Sequence, residues 1–359
     1  MVVLEVCEVV SYYGGNFVEC LKSLDRQIRN SGENNRMFYA FPLEAKEIDW
    51  VKELGRDGDV SYYSRRRPQY MVDLLNLCSK NHVDIVHLHF CGVVNTLLLQ
   101  LFSHVKIVVH YHNTIDKLPW FKRFVYHISS FRVSKFIGCS HYVMETMLDN
   151  GFSKEKCMFV TNCIDFKRLD VIQDPDVLAN DKFNLLIFGT DFYRKGVDLT
   201  LKALSPIAEK YNLCLQIISH NQESAEKDVI SVMGYFPDWC EINAPVNNIA
   251  DYYRASEIFL SPSRAEGLST AVIEAMYCGC PVIKSNVSSM QYGLENEDVI
   301  TTSLNEIDIR NHVESMINLE TDKKRTIINL FQKQVQNMFS ADKWAKEIFA
   351  LYVSTLKKG

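Results

Sequence analysis

Short β-branched runs alternate with segments of helical spacing along most of this chain, and that alternation restricts the fold more than any other feature. Val2–Val6, Asp84–Leu88, Lys106–His110 and Phe136–Cys139 are too short and too β-branched to prefer helix, and they predict buried strands. After the first run, Ser11–Gly15 forms a glycine turn, and Phe17, Cys20, Leu21, Leu24 and Ile28 then repeat at helical spacing. Ser140 stands where it can cap a helix after the fourth run. The pattern stops at Asp170–Asp181, DVIQDPDVLAND, which has a proline, four aspartates and no periodic apolar face, and reads as an interdomain linker. It restarts with Asn184–Phe188, Leu213–Ser219, Ile258–Leu260 and Pro281–Lys284. The expected fold class is α/β, with two Rossmann-like domains facing across a cleft. The length of 359 residues agrees, at ~100–200 residues per domain. The expected division is 1–170, 171–340 and a docking helix at 341–359, with Trp344, Ile348, Phe349 and Tyr352 on one face.

Composition excludes several classes. Hydrophobic residues at 47% and charged ones at 23% exclude wholesale disorder. A net charge of −5 argues against a dedicated nucleic-acid binder. No run approaches the ~18 apolar residues that cross a bilayer. Glu5 and Glu8 interrupt the first apolar stretch, and no basic region precedes it, so no signal peptide is expected. The eleven cysteines are odd in number and scattered singly, with no C-x-x-C pair. Cys7, Cys20, Cys78 and Cys214 lie in apolar runs, so reduced thiols in a cytoplasmic protein are the expectation.

The strongest chemical signal is Ser261–Ser285, SPSRAEGLSTAVIEAMYCGCPVIKS. A strand ends at Ser261–Pro262, a loop carries Glu266 and Gly267, and a helix begins near Ser269 or Thr270. Gly267 lets a ligand approach the backbone, and the N–H groups around Leu268, Ser269 and Thr270 suit an anionic phosphate. Glu266 and Glu274, two carboxylates beside an anion site, would accept hydrogen bonds from sugar hydroxyls instead.

These residues resemble the retaining GT-B glycosyltransferases of family 4. That family's signature is two glutamates with seven residues between them, in a frame of P-S-x-x-E-G and E-A-M-x-x-G-x-P-V-I. Here the frame is Pro262, Ser263, Glu266, Gly267, Glu274, Ala275, Met276, Gly279, Pro281, Val282 and Ile283. FGTDFYRKGVDLTLKAL resembles the strand–turn–helix whose basic pair grips the donor diphosphate, which makes Gly189 the turn glycine and Arg194 and Lys195 the clamp. TNCIDFKRL resembles the segment opening the linker, with Cys163 where glycine is usual. Gly14 and Gly15 take the place of the N-terminal glycine loop, and the Trp344–Tyr352 helix resembles the one that crosses back to the first domain. Two segments depart from the family: ISHNQES follows the strand at Leu213 where G-x-G is common, and SSM at Ser288–Met290 replaces a glycine turn. NAPVNN at Asn243–Asn248 matches the base-binding loop in position more than in residues.

The histidines fall in two H-x-H pairs, His87 with His89 and His110 with His112. Residues two apart share a strand face, so each pair could chelate a metal, yet no third ligand is evident. The resemblance implies no catalytic metal, places His112 near the donor sugar and leaves His87 structural. Asp57–Gly58–Asp59 and Asp174–Pro175–Asp176 read as turn chemistry rather than D-x-D metal motifs.

What the resemblance implies is transfer of a hexose or N-acetylhexosamine, with retention, from a nucleotide diphosphate sugar to a glycan, glycolipid or protein acceptor. A UDP-sugar is the favoured donor, and no cofactor is required beyond it. Arg194, Lys195, Glu266 and His112 would serve catalysis, and Gly14, Gly15, Gly189, Gly267, Leu268, Ser269, Thr270 and Glu274 would bind the donor. The alternatives are a non-catalytic glycosyltransferase-like subunit, or an epimerase or phosphorylase of the same fold. Lys117–Phe136, KLPWFKRFVYHISSFRVSKF, interleaves basic and aromatic residues and is a candidate for lying on the inner, anionic face of a membrane.

Overall fold

Thirteen strands form two parallel sheets in the computed structural model, which describes residues 1–11, 14–54, 59–66, 68–246, 248–266, 268–287 and 300–357. Contacts divide the chain into two units, Met1–Asp165 with Phe339–Gly359, and Phe166–Met338. The first unit holds β1 (Val2–Cys7), β2 (Arg36–Pro42), β3 (Val60–Tyr63), β4 (Ile85–His89), β5 (Lys106–Tyr111), β6 (Val133–Gly138) and β7 (Cys157–Phe159), in the order β3-β2-β1-β4-β5-β6-β7. The second holds β8 (Phe183–Phe188), β9 (Leu213–Ile218), β10 (Cys240–Asn243), β11 (Ile258–Ser261), β12 (Val282–Ser285) and β13 (Ile300–Thr302), in the order β10-β9-β8-β11-β12-β13. Both are Rossmann-like. In each the direction of winding reverses once, between β1 and β4 and between β8 and β11. Ligands of such sheets bind at the carboxyl ends of the strands flanking that reversal.

The central strands are buried along most of their length because helices cover both faces, and Glu5, His87, His89, His110 and Gln216 are buried among their apolar residues. In the first unit the helix Gly15–Asn30 buries Cys20, Leu21, Leu24 and Ile28, and the C-terminal helix Ala341–Lys357 buries Trp344, Ile348, Leu351 and Tyr352 in the same core. Ser23 Oγ donates to Asp342 at 2.7 Å between the two helices. Ser140 caps the helix His141–Asp149, accepting from the Val143 amide at 3.2 Å.

The structure corrects three expectations. Cys20 and Cys163 form a disulfide, so the chain does not hold only reduced thiols. Their separation of 143 residues has no sequence signature; the sheet topology brings the two positions together. The chain parts after Asp165 rather than after Asp170, and the aspartate-rich stretch belongs to the second unit. There the amides of Gln173 and Asp174 both donate to Asp251 Oδ2, at 3.0 and 2.8 Å, which gives that polar stretch a fixed seat. Lys117–Phe136 is not one helix either. The helix covers Trp120–Ser129, and Phe136 lies buried on β6.

Candidate functional site

In the second unit the loops after β8 and β11 meet at the winding reversal. The Gly189 amide donates to Ile218 O at 2.8 Å, and a Cβ there would stand 2.6 Å from Ile217 Cγ2. Asp191 follows with φ +62°, a left-handed conformation that aspartate tolerates better than most residues. Gly196 closes the turn at φ +75°, where a Cβ would fall 2.2 Å from Pro262 O. Only glycine lets the Arg194–Lys195 turn sit this close to Pro262. That approach delivers Lys195 Nζ to Glu266 Oε1 at 2.6 Å, with Arg194 Nη1 at 3.4 Å from the same oxygen. Arg194 also donates to Ala265 O at 2.9 Å and pairs with Asp191.

A second tie holds the loops. The Arg264 amide donates to Arg194 O at 2.8 Å, while its guanidinium grips both oxygens of Asp198 at 2.7 and 2.8 Å. Sequence reasoning passed over Gly196, Arg264 and Asp198. The positive φ of Gly196 and the bidentate geometry of Arg264 are visible only in three dimensions.

Glu274 lies nearly buried on the helix Thr270–Tyr277. Its Oε1 accepts from Arg168 at 2.8 Å, and its Oε2 accepts from Tyr253 Oη at 3.5 Å. Arg168 was also unforeseen, since nothing in FKRLD marks it. Leu268 leads to Ser269, which holds the N-cap without its side chain accepting from the first turn of the helix that begins at Thr270. The amides of such a helix start offer partial positive charge to an anion. Gly267 and Ser288–Met290 lie outside the described residues. Where the family has G-x-G, Asn221 caps the helix Gln222–Met233 by accepting from the Ser224 amide at 3.0 Å. In the neighbouring segment, Asn243 Nδ2 donates to Gln216 Oε1 at 2.7 Å.

Three further expected residues, Gly14, Gly15 and His112, lie in the first unit. Gly14 precedes the helix that Gly15 opens at φ +51°, and a Cβ on Gly14 would stand 2.2 Å from Val18 Cγ2. Phe17, in the first turn of that helix, sets its ring edge against His112 with centroids 6.0 Å apart. His112 stacks on Phe90 at 4.3 Å and on His110 at 4.2 Å. Phe90 is exposed and holds φ +61°, a costly backbone for a bulky side chain that is typical of functional sites. Burial, with the charge of His87, pushes the His89 imidazole down to about 4, and burial likewise holds His110 and His112 well below the usual histidine range. All three rings are therefore neutral at pH 7. Donor atoms of His87, His89 and His110 lie within 4.8 Å of one another, close enough to share a cation. Both nitrogens of His89, however, are engaged, one with Glu5 and one with His112. Of the D-x-D tripeptides, Asp59 pairs with Arg29 at 2.5 Å and Asp174 Oδ1 accepts from the Asp176 amide at 3.2 Å, while Asp57 and Gly58 lie outside the described residues.

Residues 182–319 match the family described as Glycosyl transferases group 1, and residues 37–168 match Glycosyltransferase Family 4. With the fold, these matches support a glycosyltransferase of the GT-B class. Among curated relatives, a Klebsiella pneumoniae 41.2 kDa protein of the cps region is 25% identical over 231 residues, 58% of this chain and 62% of that one. The Staphylococcus aureus capsular polysaccharide biosynthesis glycosyltransferase CapH is 20% identical over 241 residues, 64% of this chain and 66% of that one. The Escherichia coli O-antigen biosynthesis glycosyltransferase WclY is 26% identical over 214 residues, 58% of this chain and 55% of that one. The chain thus spans about three fifths of the length of these relatives. Among solved structures, a Rickettsia africae ESF-5 glycosyltransferase superposes with a TM-score of 0.84 at 16% identity, covering 100% of this chain and 99% of that one. Anabaena HepE in complex with UDP gives 0.80 at 16% identity, covering 99% and 100%.

Proposed function

We propose that this protein transfers a hexose or N-acetylhexosamine from a nucleotide diphosphate sugar to an acceptor hydroxyl, with retention of configuration, in surface polysaccharide or glycolipid assembly. The observation that carries the reading is the meeting of Arg194, Lys195 and Glu266 at the β8/β11 reversal. Departure of a nucleoside diphosphate builds negative charge on its oxygens. Two cations and the amides at Thr270 supply the fixed positive field that lowers that barrier. Glu266, released in part from Lys195 when the diphosphate arrives, accepts from hydroxyls of the transferred sugar. Glu274, held by Arg168, accepts from the ribose. UDP is favoured as the donor base by family frequency and by the UDP found on HepE. The test is a panel of UDP-, GDP- and ADP-sugars read by thermal stabilisation and slow hydrolysis. Nucleotide at ~100 times its dissociation constant should stabilise by about 2.7 kcal/mol. Stabilisation by GDP or ADP alone overturns the UDP assignment, and conversion of a donor sugar to its epimer without acceptor favours an epimerase.

The acceptor side of this reading is a lipid-bearing glycan met at a membrane surface. The helix Trp120–Ser129 exposes Trp120, Phe121, Phe124, Val125 and Ile128, with Trp120 80% exposed. Leu101 and Phe102 are exposed on the helix Leu97–Phe102, which Gln100 ties to the Ser129 carbonyl at 2.6 Å. Lys117, Lys122 and Arg123 accompany this apolar surface and complement anionic headgroups. Among the described residues, no helix is long and apolar enough to cross a membrane. Flotation with anionic liposomes at low salt should carry the protein upward, and Trp120→Glu with Phe124→Glu should abolish it. Absence of co-migration by the wild type removes the membrane claim.

A further inference from the structure

His112 has almost no freedom left to vary. Phe90 and His110 stack on it, and Phe17 meets it edge-on. The one property still open is which ring nitrogen carries the proton. A chain of hydrogen bonds runs from that ring into the sheet: His112 Nε2 lies 3.0 Å from His89 Nδ1, and His89 Nε2 lies 2.7 Å from Glu5 Oε2. On the outer side, His112 Nδ1 lies 3.0 Å from Asn162 Oδ1. The topology explains the line-up, since β1, β4 and β5 are neighbours and Glu5, His87, His89 and His110 share one sheet face in register.

The protons follow by elimination. Glu5 is fully buried, yet Tyr352 Oη donates to it at 2.6 Å and His89 adds a second donor. Burial would raise its carboxyl; His87 and His89 outweigh that and hold it below the usual carboxylate range. An ionised Glu5 only accepts, so His89 Nε2 carries a proton. His89 is neutral, so its Nδ1 accepts, and His112 Nε2 must donate to it. His112 Nδ1 is then a lone pair, which requires the Asn162 side chain to be turned over, so that Nδ2 rather than Oδ1 faces it; the oxygen and nitrogen of a side-chain amide are told apart by such networks.

We infer that Glu5, acting through His89, is a positioning residue that fixes His112 as the Nε2–H tautomer and leaves its Nδ1 as an acceptor for a substrate hydroxyl. This rests on the proposed function and on the expectation, carried by the family resemblance, that His112 lies near the donor sugar. The hydroxyl displaces the Asn162 amide from Nδ1 and donates to it in turn. The opposite tautomer would present a donor there and repel the same hydroxyl proton. Glu5 itself touches no substrate.

The test is two-bond ¹⁵N–¹H correlation spectroscopy of the histidine rings in the full chain at pH 7, with His112 assigned by its loss in His112→Gln. The wild type should show His112 protonated on Nε2. In Glu5→Gln the side-chain amide can donate to His89 Nε2, which sends the His89 proton to Nδ1 and the His112 proton to its own Nδ1. His89→Gln, which cuts the link at its middle, gives a second reading should Glu5→Gln fail to fold. Tyr352→Phe removes a different donor from Glu5 and should leave the His112 tautomer unchanged. In parallel, turnover of the nucleotide sugar should fall at least ~10-fold in Glu5→Gln with the Michaelis constant little changed. An unchanged Nε2–H signal in Glu5→Gln and His89→Gln overturns the inference. A moved proton with unchanged turnover upholds the link and overturns the role given to His112.

Discussion

Lys195 and Arg194 direct two positive charges at a single carboxylate, and Glu266 keeps only 9% of its side-chain surface exposed. Lys195→Ala should lower turnover on the order of 100- to 1,000-fold, by analogy with deleting one oxyanion donor. The structure adds a stability effect to this loss. With Lys195 gone, Glu266 is left to Arg194 at 3.4 Å, so the variant should also lose on the order of 1–3 kcal/mol. Lys195→Ala combined with Glu266→Gln should regain part of that stability without regaining activity, because the two residues form one coupled pair. Melting curves beside turnover check both, and a double variant no more stable than Lys195→Ala contradicts the pairing. Glu274 stands differently: in the role proposed for it, holding the ribose, its contacts are the same in ground and transition states, so Glu274→Gln should raise the donor dissociation constant and spare turnover at saturation. Calorimetric titration beside saturation kinetics reads the two apart. Arg168, its partner, shows where residue-level reading of a sequence stops. A lone arginine in FKRLD gains meaning only when the fold sets it 2.8 Å from a glutamate 106 residues away.

Eight strands are legible as β-branched apolar runs, and they are the central ones, covered on both faces. The strands that escape notice include β3, β7, β10 and β13, which lie at the sheet edges and span three or four residues each. Edge strands bury less, so RMFYAFP aside (β2, whose aromatics and proline blur the period), they carry too little apolar pattern to declare themselves. The Cys20–Cys163 disulfide fastens the helix Gly15–Asn30 to the segment that leaves the first unit, and it closes a loop of 143 residues. Disulfides typically contribute roughly 2–4 kcal/mol, and chain entropy places a loop of this length above that, at about 5 kcal/mol. Reductant should therefore lower the melting temperature of the wild type and leave a Cys20→Ser, Cys163→Ser variant unmoved; equal response of the two contradicts the bond. The neutral histidines of β4 and β5 give the first unit an acid weakness. His89 stays neutral in the fold down to about 4 but takes a proton near 6.5 when unfolded, so stability is lost as pH falls from about 6.5 toward 4. Each such ring contributes about 1.4 kcal/mol per pH unit, His110 and His112 act in the same direction, and Glu5 adds to the loss below its unfolded value. The urea midpoint should fall between pH 7.5 and 5, and a flat profile contradicts the neutral rings.

At the scale of the molecule, one strand order is used twice, and each use leaves a reversal at which two loops meet. The glutamate pair with its P-S, E-G and G-x-P-V-I frame was readable before any coordinates because its residues are contiguous. The meeting of Lys195 with Glu266 was not, because it depends on β8 and β11 lying side by side although 71 residues separate the two side chains. The same division holds in the first unit, where His112 stood out in the sequence while Glu5 and Asn162, its partners through the network, did not. The central claim is that Lys195 and Glu266 of the second unit serve the departure of a nucleoside diphosphate. Release of nucleoside diphosphate from UDP-, GDP- and ADP-sugars, followed for the wild type beside folded Lys195→Ala, tests it most directly. The wild type should release nucleoside diphosphate from a UDP-sugar, and the variant should do so at least ~100-fold more slowly. Equal rates for the two proteins, or release from none of the donors, would contradict it.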